Sequence, residues 1–232
     1  GEAGSVPRKL VKFRSYAQRS LRIEAGDVVE QVWDIISSKM AEEEAQEGLE
    51  ETDSVLSRVK THIDRTAVAV HRLDCETSGV MLVSLNVDVT RELGRQFRER
   101  VVQKTYFAMV HGVVDQDEGQ VSVPLSADPD HRPRQVVDEV KGKEATTTYR
   151  VVQRFEDRTK VELHPVTGRT HQLRVHMQVL GHPIIGDSLY AEDRRGSPLE
   201  DKATRLLLHA AVIEFDHPVS KSRVRLEAPA PF

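Results

Sequence analysis

The sequence has one cysteine, few aromatic residues and no long hydrophobic run, and each shortage excludes a class of protein. Cys75 has no second cysteine with which to form an internal disulfide, which is typical of reducing compartments. No apolar run in the printed sequence approaches the roughly 20 residues of a membrane-spanning helix, so we expect none. The chain also lacks a phosphate-binding glycine loop and the cysteine pairs of a zinc site.

Charge is unevenly distributed, although the formal net charge of −4 argues against a general nucleic-acid binder. Residues 3–23 form a basic arm with no acidic residue, whereas the segment from Glu42 to Asp53 is acidic. The arm is consistent with an RNA contact, with the remnant of a transit peptide, or with ordinary solvated surface. These three interpretations stay open on charge alone.

Periodicity predicts more strands than helices. We predict a helix after Asp27, a short helix near Ser54, and a helix over Val89–Arg100, where Val89, Leu93 and Phe97 form one apolar stripe. Because the helices are inserted rather than alternating with strands, the pattern indicates an α+β fold with a mainly antiparallel sheet. The predicted strands cover residues 67–70, 80–85, 106–112, 146–154, 160–163, 205–215 and 222–227.

A polar insert, His71–Gly79, separates two short apolar runs. It contains His71, the cation Arg72 and the carboxylate Asp74, at a position where chains often carry functional groups. Two interpretations stay open on these residues alone: a turn with one structural ion pair, or part of a functional site. A catalytic thiol at Cys75 is disfavoured because no histidine–cysteine signature surrounds it.

A second polar cluster covers residues 165–176 and leads into a predicted helix. Thr170 is the predicted N-cap, and the helix is expected to run to Leu180 and to be closed by Gly181. One helix face is apolar, so we expect the opposite face to present His171 and Arg174 outward.

The remaining polar groups of this cluster suggest an anion contact rather than a metal site. Arg169, at the helix start, is a candidate phosphate contact. His176 lies nearer the apolar side and is interpreted as a packed structural histidine. A metal site is disfavoured because His171 and His176 are five residues apart, which does not match the i, i+4 spacing of a helical zinc site.

Five motifs follow one another along the chain: residues 71–74 with 77–79, 104–106 with Gly112, 168–176, 180–187 and 207–210. Taken in order, these motifs resemble the RluA family of RNA pseudouridine synthases, and most closely its RluA branch. The resemblance covers about Asp53 to Phe232, which predicts a catalytic domain over residues 53–232 after a divergent extension over residues 1–52. That extension lacks the Asn-Lys-Pro-x-Gly-like segment usual in the family.

The resemblance implies an enzyme that isomerises specific uridines in structured ribosomal RNA, tRNA or both, by base flipping and without metal or organic cofactor. Asp74 would be the nucleophile or would stabilise the developing sugar cation, Tyr106 would lie against the target base, and Arg174 would pair with Asp74. Such chemistry suits these residues, because a nearby arginine favours an ionised carboxylate and an aromatic ring stacks on an extruded base. Arg72 would fill the gap left by the flipped nucleotide. Substrate-binding roles are predicted for His71, Arg72, Arg169, His171, Leu207 and Leu208.

A non-catalytic RNA-binding factor of ribosome assembly is the alternative function, favoured by the unusual extension and the acidic net charge. We expect RNA as the partner, either free or within a ribosomal assembly particle, with no membrane, no DNA and a monomeric protein. The expected compartment is the cytoplasm, or a mitochondrion or other organelle if the basic arm follows a removed presequence.

Overall fold

The computed structural model describes residues 54–232, so the predicted helix after Asp27, the basic arm and the acidic segment lie outside the described residues. The described chain forms two compact units. The first contains the residues up to Arg72 together with Val80–Val102 and Glu214–Ala228. The second contains Leu73–Gly79, Gln103–Ile213 and Pro229–Phe232.

The first unit begins with helix α1, Val55–His62, which confirms the predicted short helix. Its first turn is closed by a capping box, in which the Ser54 Oγ accepts from the Ser57 N–H at 3.0 Å and the Ser57 Oγ accepts from the Ser54 N–H at 2.8 Å. Val59 of α1 is buried in a small apolar cluster with Ala67. Beside this cluster, strands β1 (Val68–Ala69) and β3 (Val83–Ser84) pair antiparallel.

Helix α2 of the first unit covers Val87–Arg98, two residues earlier than predicted at each end. Asn86 decides the start, because its side-chain oxygen accepts from the Asp88 and Val89 N–H groups, and Val89 therefore lies inside the first turn. The buried Gln96 side chain exchanges two hydrogen bonds with the backbone of Asp216, at 2.8 and 2.9 Å. The unit ends with strand β11, Arg223–Glu227.

The predicted strand over residues 80–85 is confirmed only in its second half, where Val83–Ser84 form β3. Strand β2, Ser78–Gly79, lies just before the predicted range. Strand β2 ends at Gly79, which has a φ of 117°, a conformation that L side chains rarely adopt.

A mixed, mainly antiparallel sheet dominates the second unit, and the predicted α+β class is confirmed. Its strands are β4 Gln103–His111, β5 Glu118–Ser122, β8 Thr146–Arg154, β9 Arg158–Pro165 and β10 Leu208–Asp216. The strand order is β10–β4–β9–β8–β5, and β2 pairs parallel with β10. The antiparallel pairs are β4 with β9, β9 with β8, and β8 with β5.

The core of this unit lies between the sheet and helix α3, Gln172–Val179. Val110, Val161 and Leu163 of the sheet and Met177 of α3 have no exposed surface. A separate antiparallel pair is formed by β6, Leu125–Ala127, and β7, Gln135–Val137, and a short helix α4 covers Pro198–Lys202. Across residues 54–232, every helix is too short or too polar to cross a bilayer.

Candidate active site

Asp74 lies on a turn that is fixed to the sheet of the second unit. The Thr77 N–H donates to the Asp74 carbonyl at 2.9 Å, and β2 follows at once beside His209 and Ala210 of β10. A Cβ at Gly79 would lie 2.2 Å from the Ala210 carbonyl oxygen, so the close approach of the two strands requires glycine there. The turn therefore presents a half-buried Asp74 from a rigid support.

The Asp74 carboxylate has no direct protein partner in the part of the chain that the structure describes. No side chain or backbone N–H of residues 54–232 donates a hydrogen bond to it, and no cation of this range lies within ion-pair distance. No residue of this range therefore competes with a substrate for its oxygens.

Tyr106 extends from β4 and is partly buried against the core. Burial raises the pKa of Tyr106, and the charge of Asp74 raises it further. The phenol is therefore neutral at pH 7 and lies within electrostatic range of Asp74. The structure thus places Tyr106 near Asp74, as expected for two of the residues with predicted catalytic roles.

Arg174 is buried, which corrects the prediction that α3 presents it outward. Only 2% of the residue is exposed. Its Nε donates to the Asp187 Oδ2 at 2.8 Å and its Nη2 to the Asp187 Oδ1 at 2.7 Å, while Nη2 also reaches Glu76 at 3.3 Å. The outward prediction failed because an amphipathic pattern does not reveal a buried counter-ion on another segment.

The direct partners of Arg174 are thus Asp187 and Glu76, where the resemblance implied Asp74. Burial by itself lowers the pKa of Arg174, but the hydrogen bonds and charge of Asp187, followed by the charges of Glu76 and Asp74, outweigh it and raise the pKa. Arg174 consequently stays charged. It interacts electrostatically with Asp74, but its guanidinium forms no hydrogen bond with the Asp74 oxygens.

Helix α3 starts at Gln172, and the prediction of Thr170 as its N-cap is wrong. His171 stands at the cap position with a left-handed backbone, φ 53° and ψ 15°, and no side chain caps the helix. The Gln172 amide holds this segment instead. Its oxygen accepts from the Thr167 hydroxyl and the Arg169 N–H, and its nitrogen donates to the Thr146 carbonyl and the Thr147 hydroxyl.

His171 is also buried rather than exposed, because Tyr190 supplies an interior partner. The His171 Nδ1 lies 2.7 Å from the Tyr190 hydroxyl, which in turn accepts from the Gln135 N–H at 2.7 Å. Burial raises the pKa of Tyr190 to about 12, so its hydroxyl keeps the proton that it can donate to His171. Asp187, Gln172 and Tyr190 support the site without having had a predicted role, although Gln172 and Asp187 lie in the motifs that carry the family resemblance.

The other predicted substrate contacts occupy different surroundings. In the first unit, His71 stacks on Phe97 at 4.9 Å and its Nε2 accepts from the Leu82 N–H, while Arg72 is exposed. In the second unit, Arg169 is exposed, and its Nε donates to the Glu144 carbonyl. Leu207 is partly buried, and Leu208 packs in the core. Their substrate-binding roles stay predictions.

His176 is a packed structural histidine, as predicted. It has no exposed surface, its Nδ1 bonds the Thr147 hydroxyl at 2.9 Å, and burial lowers its pKa to about 4. Between residues 54 and 232, no group of three histidine, cysteine or carboxylate side chains is arranged to hold a metal ion.

Comparison with known proteins accounts for this arrangement. The profile of the RNA pseudouridylate synthase family matches residues 34–179, more than half of the 232-residue chain. The chain therefore belongs to the RNA pseudouridylate synthase family. The predicted enzyme class and its RNA substrate are confirmed with the family.

Within the family, the chain is similar to proteins named dual-specificity RNA pseudouridine synthase RluA. It is 46% identical over 184 residues to the Yersinia pestis protein, covering 79% of this chain and 87% of that one. Identity to the protein of Escherichia coli strain K12 is also 46% over 184 residues, covering 79% and 82%. The predicted likeness to the RluA branch is confirmed.

Two human structures share the fold. Human RNA Pseudouridylate Synthase Domain Containing 1 matches with a TM-score of 0.67 and 31% identity, covering 77% of this chain and 75% of that one. Human RNA Pseudouridylate Synthase Domain Containing 4 matches with a TM-score of 0.60 and 27% identity, covering 76% and 78%. Both matches agree with the α+β architecture described above.

Proposed function

We propose that this pseudouridine synthase modifies uridines in both ribosomal RNA and tRNA, with Asp74 as the reacting carboxylate. The observation that carries the proposal for Asp74 is its carboxylate, which forms no hydrogen bond or ion pair with residues 54–232 and lies within electrostatic range of the neutral Tyr106 and the buried Arg174. The two substrate classes are supported by the similarity to proteins named dual-specificity enzymes.

The proposed reaction rearranges one nucleotide without adding or removing atoms. The bond between ribose C1′ and uracil N1 breaks, the base turns, and a bond forms between C1′ and C5. The proton on C5 is lost and N1 regains one, so the formula is unchanged. Asp74 attacks C1′ or stabilises the sugar cation, and both paths use a free carboxylate oxygen.

The pairing of Arg174 with Asp187, and not with Asp74, supports this role for Asp74. A bidentate pair between Arg174 and Asp74 would occupy the oxygens that must meet the ribose. Asp187 takes that pair instead, with Nε and Nη2 contacts of 2.8 and 2.7 Å. Arg174 thus supplies positive charge to the site, while Asp187 holds it in place.

The neutral phenol of Tyr106 suits a contact with an uncharged base. Its ring can lie against uracil, and its hydroxyl can take part in the proton transfer. We assign Arg72 to the space left by the flipped nucleotide and Leu207, which is only partly buried, to the wall of the base pocket. Arg169 is a phosphate contact in this proposal, and the buried His171 positions the start of α3.

The proposal includes a monomer that acts in the cytoplasm on free RNA or on RNA in an assembling ribosomal particle. Sedimentation of the purified protein at micromolar concentration tests whether it is a monomer. Comparing its activity on free ribosomal RNA and on protein-bound ribosomal RNA tests which of the two it modifies.

Incubation with ribosomal RNA and tRNA transcripts tests the proposal. Pseudouridine is mapped by chemical adduct formation and reverse-transcription stops, and Asp74→Asn serves as the control. New stops in both RNA classes with the wild type alone are the expected result. Stops in one class would contradict dual specificity. RNA binding without any new stop would support the non-catalytic assembly factor.

A further inference from the structure

Lys104 is a polar group that the proposed chemistry leaves unused. It lies on β4 two residues before Tyr106, so both side chains extend from the same face of the strand. Its ammonium reaches Gly168, where a Cβ would lie 3.6 Å from the Lys104 Nζ. Gly168 and the following Arg169 are exposed, so the ammonium lies next to an exposed segment of the chain.

This ammonium has no anionic partner within residues 54–232. No carboxylate of this range forms an ion pair with Lys104, and no acceptor of this range receives a hydrogen bond from it. The side chain is nevertheless partly buried, and burial lowers its pKa. A partly desolvated cation with three donors and no acceptor is costly, and an incoming anion removes that cost.

We propose that Lys104 binds a phosphate of the RNA directly beside the target uridine. The inference rests on the proposed function, because a base held against Tyr106 brings the phosphates of its own nucleotide to this strand face. A phosphodiester fits the site better than a protein carboxylate, since the neighbouring cation, Arg169, also lacks an ion pair in the described range. Because the Lys104 ammonium lies beside Gly168, the residue before Arg169, two cations on neighbouring segments can contact successive phosphates.

Binding of RNA hairpins tests the inference in a double-mutant cycle, in which the Lys104 side chain and the RNA phosphate are changed separately and together. The RNA is a hairpin that the wild-type enzyme converts, and a neutral methylphosphonate replaces the phosphate either 5′ or 3′ of the target uridine. All proteins carry Asp74→Asn so that bound RNA is not converted. Lys104→Met removes the charge, Lys104→Arg keeps it, and Lys202→Met, at an exposed lysine without an ion pair in the described chain, is the matched control.

We expect Lys104→Met to weaken binding by about tenfold, the lower end for a hydrogen bond to a charged group. The slope of log K against log salt should fall by about 0.7, the value for one single-strand phosphate. One methylphosphonate should weaken binding to the Lys104 protein and have no further effect on Lys104→Met. Lys104→Arg should keep most of the affinity, and Lys202→Met should change slope and affinity less than Lys104→Met does.

Two results would overturn the inference: an unchanged salt slope in Lys104→Met, or both methylphosphonates weakening Lys104→Met as much as the parent protein. Misfolding is excluded by the thermal midpoint, which should be equal or higher in Lys104→Met because a partly desolvated charge is removed. Pseudouridine formation by the protein with Asp74 intact is measured in parallel. If that protein converts no RNA, the proposed function fails, whereas conversion combined with an unchanged salt slope refutes only the role of Lys104.

Discussion

Replacing Asp187 by asparagine tests how the site is held together. The substitution keeps the shape of the side chain and an oxygen for the Leu189 and Tyr190 N–H groups, both of which Oδ1 accepts at 3.0 Å. It removes the negative charge opposite Arg174, whose side chain is 3% exposed, while that of Asp187 is fully buried. Arg174 is then left in the interior without its main counter-ion.

The expected loss of stability is large because removing one partner of a buried pair costs about 3 to 5 kcal/mol. The retained backbone hydrogen bonds place Asp187→Asn near the lower end, about 3 kcal/mol. For a chain of this size the thermal midpoint should fall by roughly 6 to 12 °C. Turnover should fall by about tenfold or more, because Arg174 can now pair with Asp74 and occupy its oxygens.

Thermal and urea unfolding measure the stability, and single-turnover conversion of RNA measures the chemical step. Glu76→Gln is the matched control, since Glu76 also contacts Arg174, at 3.3 Å, but its side chain is 42% exposed. That variant should lose no more than about 1 kcal/mol. A loss below about 1 kcal/mol in Asp187→Asn, or an equal loss in Glu76→Gln, would refute the reasoning.

Three further predictions concern protonation, backbone and the base contact. Because burial lowers the pKa of His176 to about 4 from 6.5, the unfolded chain binds the proton more strongly, and stability should fall by about 3 kcal/mol as pH drops from 6.5 to below 4. In urea titrations, the stability of His176→Gln should not show this part of the loss at low pH. If the variant lost as much stability as the wild type over the same pH range, the prediction would be wrong. Gly186→Ala should destabilise by about 3 kcal/mol or more because its Cβ would lie 2.0 Å from the Arg205 carbonyl oxygen, whereas Gly181→Ala, with a similar positive φ and open space, should cost about 1 kcal/mol. Equal midpoint shifts would show that close approach is not the cause. Tyr106→Phe should keep RNA affinity within about threefold and lose turnover, while unchanged turnover would exclude the hydroxyl from proton transfer.

Motifs with strong local signals were predicted well. The short helix that begins at Ser54, the long antiparallel strands and the structural role of His176 all follow from residue type and period within a short window. The family resemblance named Asp74, Tyr106 and Arg174, and the structure places all three in one unit, with Tyr106 and Arg174 within electrostatic range of Asp74.

Long-range partners were not predictable in the same way. Arg174 was expected on an exposed face because helical period separates polar from apolar residues but does not show what covers the polar side. Asp187 covers it, and only the folded chain brings the two together. The cap at α3 failed for a related reason, since the Gln172 amide bonds residues of β8 and stabilises the helix start without a capping side chain.

The apolar run over residues 80–85 predicts one continuous strand, because a pattern of apolar residues does not reveal the φ angles of the backbone. Gly79 adopts a φ of 117° where β2 pairs with Ala210 of β10, and β2 ends there. A glycine at the edge of an apolar run is compatible with either outcome until its neighbour is known.

Nucleoside analysis of converted RNA tests the central claim most directly. A hairpin or transcript treated with wild-type protein is digested to nucleosides, and uridine and pseudouridine are quantified by chromatography. The account predicts that pseudouridine appears in a one-to-one ratio with the uridine lost, and that Asp74→Asn forms none while still binding the RNA. Pseudouridine formation by Asp74→Asn at the wild-type rate would contradict it.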